Sequence, residues 1–142
     1  MVKRMINMFF TKIVVIFSLL SFSSITWGED ITYLCLPTKS TGFYYNKSTK
    51  EWTDTTFKIN DNKKLIKKKG SSWEWSEFGD KHSYPYCKER GVDYVDCDTF
   101  GGTFSLNINN LRYMETYMYG YIDGLDSNSN TPNITIGKCS PL

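Results

Sequence analysis

The sequence predicts an antiparallel all-β domain: a small up-and-down barrel or a β-sandwich of about eight strands, held by two disulfides. Three observations lead there. Apolar and polar residues alternate at period two in short runs, and Gly, Asn, Asp and Pro separate the runs. No helical period appears after the first 28 residues. All four cysteines, Cys35, Cys87, Cys97 and Cys139, fall in that later part.

Residues 1–28 read as a signal peptide and not as part of the fold. Lys3, Arg4 and Lys12 make a positive start, Ile13 to Ile25 is an uncharged apolar core, and Gly28 precedes Glu29 at an acceptable cleavage point. The apolar run is shorter than the roughly 20 residues a membrane span needs. Residues 29–142 are then a single all-β domain, exported to a periplasm or secreted, with no transmembrane span. Removing the first 28 of 142 residues leaves 114, enough for one modest core. The leader also carries three of the 17 Lys+Arg, so 14 remain against 15 Asp+Glu, a net charge of −1. The basic balance of the whole chain belongs to the leader, and a nucleic-acid partner has no support.

Ile31 to Leu36 forms a first strand, which Pro37 should stop. Gly42 to Asn46 and Glu51 to Ile59 flank the polar turn Lys47-Ser48-Thr49-Lys50. Asn60-Asp61-Asn62 turns into Lys63 to Lys69, and Gly70-Ser71-Ser72 turns into Trp73 to Phe78. Tyr84 to Lys88 and Val92 to Thr99 surround a turn at Arg90-Gly91.

Gly101 to Gly124 is the longest hairpin. Phe104, Leu106 and Ile108 alternate with polar residues, Asn109-Asn110 suits a two-residue turn, and the return strand runs from Leu111 to Ile122. A three-residue turn would flip the return strand and turn Met114, Met118 and Ile122 inward, whereas the favoured two-residue turn sets Leu106 opposite Tyr113 and Phe104 opposite Glu115. The inward face then carries Leu111, Tyr113, Tyr117, Tyr119 and Tyr121 with Glu115 among them, and a buried carboxylate requires a partner, water or a bulge. Asp123 to Pro132 is a polar loop, and Asn133 to Cys139 closes the chain.

Four cysteines allow three pairings. Cys87–Cys97 fits strands facing each other across the Arg90-Gly91-Val92 turn. Cys35–Cys139 would join the first and last strands, which is barrel closure. Zinc is the weaker reading, since no CxxC pair exists and His82 is the only histidine.

Cys35, Thr41-Gly42-Phe43, Trp52, Cys87, Cys97, Phe104, Arg112 and the ending TPNITIGKC together resemble a set of short exported bacterial-type proteins. That resemblance spans most of residues 29–142. It implies export and one domain, and it implies no chemistry. A closed barrel of this size is also similar to the lipocalin-like group, in architecture alone.

No catalytic residue, cofactor or metal site is assigned. Asp96 and Asp98 share a strand face, as a hard cation or an acid/base pair would need, but an exposed strand explains them too. Asp126, Asn128 and Asn130 have the first three spacings of a calcium loop, yet Thr131 and Gly137 stand where its Gly and Glu belong. Five lysines between Lys63 and Lys69 read as protection of a sheet edge. Trp52, Trp73, Trp75, Tyr113, Glu115, Tyr117 and Tyr119 are the residues that could line a ligand site, and aromatics equally fill small β cores. The functional expectation is a non-enzymatic binding module for a small apolar or sugar ligand. The alternative is a disulfide-stiffened domain with a solid core that meets a protein partner.

Overall fold

The structure is a computed structural model that describes residues 30–59 and 63–142. The expected leader, its Gly28/Glu29 cleavage point and the Asn60-Asp61-Asn62 turn lie outside the described residues. Nine strands follow in order: β1 (Ile31–Asn46), β2 (Glu51–Phe57), β3 (Lys64–Lys69), β4 (Ser72–Glu77), β5 (Tyr84–Arg90), β6 (Tyr94–Thr99), β7 (Gly102–Asn107), β8 (Arg112–Tyr117) and β9 (Asn133–Pro141). Every pairing is antiparallel. β3 to β9 run side by side and β9 returns to β1, so eight strands close a barrel and β2 is an added strand on β1. Both disulfides form as the sequence suggests, Cys35–Cys139 across the closing seam and Cys87–Cys97 across the β5–β6 hairpin.

β1 is long because Pro37 does not stop it. Ile31 to Cys35 pairs with β3, and Ser40 to Asn46 pairs with β2 along the same edge. Pro37 falls in the gap between these two neighbours, where the register against β9 also shifts between Pro37 and Lys39. A residue without an N–H is tolerated at such a break in pairing.

The β7–β8 register is the one a two-residue turn predicts, with Leu106 opposite Tyr113 and Phe104 opposite Glu115. The turn itself is longer. Asn107 and Arg112 form the last pair, and Leu111 takes a left-handed φ of 58° while its N–H bonds the Asn107 carbonyl. The Asn107 side chain accepts from the Asn109 and Asn110 amides. Four residues replace two, an even change, so no side chain switches face. The Leu111 carbonyl in turn accepts the Cys139 amide, and its side chain packs on the core, which holds the unusual φ in place.

β8 ends at Tyr117, earlier than expected. Its partner β7 begins at Gly102, and the ladder gives way to a bond from the Met118 amide to the Gly101 carbonyl. Tyr113 and Tyr117 therefore lie on the inward face, whereas Tyr119 and Tyr121 belong to the following loop.

The barrel is filled. Ile66, Val95, Phe104 and Leu106 are fully buried, and Trp73, Trp75, Tyr113 and the disulfide sulfurs pack around them. Burying a side chain such as Phe104 or Leu106 contributes roughly 1.5–3 kcal/mol. Phe104 and Tyr113 stack with ring centroids 4.9 Å apart. Gly137, opposite Tyr113 on β9, makes room for that ring: a Cβ there would come within 2.4 Å of it.

Candidate functional site

Two lysines expected to protect a sheet edge lie instead on the inward face of β3, Lys64 buried and Lys68 partly exposed. β3 is not an edge, since it pairs with β1 on one side and β4 on the other. Lys64, Ile66 and Lys68 consequently share its inward face. Lys64 lies 5.1 Å from the Trp75 ring centre and ion-pairs with Glu115. Lys68 lies 5.3 Å from the Trp73 ring centre and ion-pairs with Glu89 at 3.0 Å. Each barrel tryptophan thus has one ammonium over its face and one carboxylate holding that ammonium. The Trp73 indole also donates to Glu89 at 2.7 Å, and this bond, ahead of Lys68, holds the Glu89 carboxyl below its usual range.

Glu115 finds its counter-charge in Lys64, which answers the cost of placing a carboxylate on the inward face. The pair borders a polar recess of about 520 Å³ at one mouth of the barrel, with Ser40, Glu77, Tyr117 and Asn133. Burial pushes the Tyr113 hydroxyl well above the ordinary phenol range, and Glu115 adds to it, so Tyr113 stays a neutral phenol. Asp96 and Asp98 do not meet Glu115. They alternate with the buried Val95 and Cys97 and so face outward, and Asp96 is taken by Arg90. No acid/base pair assembles from these three carboxylates.

A second concavity lies on the outside of the barrel. Phe43 and Thr41 on β1, Thr116 on β8, Ile134 on β9 and Trp52 on β2 form one wall and floor, and Met118, Tyr121 and Ile122 of the following loop form the other wall. The groove measures about 830 Å³. Asp54 is its one charged lining residue.

The loop that completes this groove is clasped to the barrel by the residues with calcium-loop spacing. Asp126 accepts from the Trp52 indole at 3.0 Å, Asn128 from the Tyr45 amide at 2.7 Å, and Asn130 from the Tyr117 hydroxyl at 3.1 Å. The segment is made of turns and bends, and its Asp126, Asn128 and Asn130 side chains supply three tethers to β1, β2 and β8. Among the described residues no group of three His, Cys, Asp or Glu could hold a metal ion.

The sequence-derived lining residues therefore divide. Trp73, Trp75 and Tyr113 are core packing, Glu115 is in the barrel ion pair, and Trp52 and Tyr117 border the outer groove. Tyr119 packs edge-on against Phe100 with centroids 5.7 Å apart. Nothing local marks Phe43, Met118 and Ile122 as groove residues, and Tyr121, expected on the inward face of a longer strand, instead lines the outer groove from the loop after β8. No family model, no curated protein and no solved structure matches the chain.

The ion pair gives a direct stability test. Lys64 and Glu115 side chains are only 9% and 20% exposed, so Glu115→Gln should lower unfolding stability by about 3 kcal/mol by stranding the ammonium. Lys64→Met with Glu115→Leu should recover most of that loss. Denaturant unfolding reads both. A Glu115→Gln protein as stable as the wild type would show that the pair does not hold the barrel mouth.

Proposed function

We propose that the protein is a non-enzymatic binding module whose ligand is a small, neutral, apolar molecule held in the outer groove. The observation that carries this reading is the groove itself, a preformed apolar concavity with aromatic walls, within the roughly 300–1,000 Å³ typical of small-molecule sites. Its loop wall is tethered at three points, so little ordering entropy remains to be lost on binding. The lining favours a neutral ligand over an acidic lipid, because it contains Asp54 and no Lys or Arg. It favours an apolar ligand over a sugar, which would need several polar partners. Aromatic packing fills the barrel core and the recess at its mouth is polar, so the apolar concavity lies on the outer surface.

The neutral fluorophore N-phenyl-1-naphthylamine tests this. Saturable one-to-one enhancement is expected, displaced by decanol more readily than by decanoate and lost in Phe43→Ser with Ile122→Ser. No saturable enhancement would sink the small-ligand reading. A protein partner would then be favoured, since exposed Met114 and Ile136 extend the same outer face beyond the groove.

We also propose export of a processed chain related to the short exported proteins it resembles. The charged and apolar pattern of residues 1–28 supports export, and two disulfides suit an oxidising compartment. No helix among the described residues is long and apolar enough to cross a membrane. Intact mass spectrometry of the protein purified from its producing cell should find an N-terminus at Glu29. A retained leader would contradict export by cleavage.

A further inference from the structure

A different concavity opens where the β5–β6 ladder ends. Their pairing runs from Arg90–Tyr94 to Cys87–Cys97 and stops there, while β5 continues back to Tyr84 and β6 forward to Thr99. On its other side β5 slips against β4, with a bulge between the Trp73–Cys87 and Trp75–Tyr84 pairs. The strands part, and a cleft of about 660 Å³ forms between them. The Asp98 carbonyl lies past the end of the β5–β6 ladder and accepts the Trp75 indole N–H at 3.2 Å, which fixes the tryptophan as the cleft floor.

Aromatic rings and carboxylates make up its lining. Tyr84 stacks on Trp75 with centroids 4.8 Å apart, and Tyr86 and Phe100 stand as walls, 62% and 86% exposed. Phe100 is steadied by Tyr119, which itself rests on Gly101, where φ is +89° and a Cβ would meet the Tyr119 ring at 2.5 Å. Glu77, Asp80 and Asp98 complete the lining. His82 occupies Asp80 through its backbone N–H. Among the described residues neither Glu77 nor Asp98 has a cationic side chain within 4.0 Å.

We propose that this cleft binds an organic cation, a quaternary or methylated ammonium group seated between Tyr84, Tyr86 and Phe100 with Glu77 and Asp98 as counter-charges. The sign of the charge follows from two carboxylates in one cleft that have no cationic partner among the described residues. The chemical class follows from the rings. Aromatic faces attract a cation through their quadrupole but cannot replace the water of a strongly hydrated ion, so a methylated ammonium is favoured over a metal or a bare ammonium. The same chain already uses this contact inside the barrel, where the Lys64 ammonium lies 5.1 Å from the Trp75 ring centre. The cleft is separate from the outer groove and does not depend on it.

Choline and its uncharged isostere 3,3-dimethylbutan-1-ol are the probes, titrated into the oxidised protein and followed by amide and indole NMR shifts. Choline should give saturable shifts at the Trp75 indole and not at Trp52. The isostere should bind about tenfold more weakly, and the choline affinity should fall with added salt. Tyr86→Ala, at an exposed position, should weaken choline by about fivefold, and Asp98→Asn by a similar factor. An absence of saturable choline shifts overturns the proposal. So does equal binding of the isostere, which would make the cleft merely apolar, or choline binding that Tyr86→Ala leaves unchanged.

Discussion

Closure of the sheet between its first and last strands is the constraint on which the rest of the molecule depends. β1 pairs with β9 from Tyr33–Pro141 to Gly42–Asn133, and Cys35–Cys139 links the two strands within that ladder. With the seam closed, the eight barrel strands have no free edge, and β2 alone remains as an outer strand. Closure also gives the chain an inside. Lys64, Lys68 and Glu115 are inward residues only because β3 and β8 are strands of a closed wall.

The inside is spent on packing. A domain of this size has little apolar surface to bury, and Trp73, Trp75, Phe104 and Tyr113 occupy the space that a larger barrel would leave for a ligand. Lys64 fits such a core because its ammonium lies over Trp75 with Glu115 beside it, and the more exposed Lys68 repeats the arrangement over Trp73 with Glu89. The two outer concavities arise where regular pairing fails. The outer groove forms where β8 gives out and the chain loops back over β1 and β2, and the aromatic cleft forms where β5 parts from β6.

Most of the fold could be read from residue order, and the reasons are local. Alternation within Thr103 to Asn107 and within Trp73 to Glu77 showed which faces turn inward, and of the three cysteine pairings the structure has the one that the strand order favoured. The Phe104–Glu115 register survived an incorrect turn type because two-residue and four-residue turns preserve parity. The misreadings share one cause: the meaning of a side chain depended on a distant neighbour. Lysines 64 and 68 looked like edge protection until β1 and β4 flanked them. Pro37 looked like a stop until its two neighbours left a gap beside it. Asp126, Asn128 and Asn130 looked solvent-facing until their partners at Trp52, Tyr45 and Tyr117 were in place. Neither concavity was legible, since the outer groove joins segments far apart in the chain and the cleft depends on where the β5–β6 ladder stops.

The two disulfides allow the seam to be weighed against an ordinary hairpin. They span 104 and 10 residues of sequence, and loop-closure entropy assigns them about 4.7 and about 2.7 kcal/mol of stabilisation. The decisive measurement is denaturant unfolding of Cys35→Ala/Cys139→Ala beside Cys87→Ala/Cys97→Ala. If the first and last strands are held together as described, the seam variant loses about 2 kcal/mol more than the hairpin variant. Equal losses, or a greater loss from the hairpin pair, would contradict a barrel closed at β1 and β9.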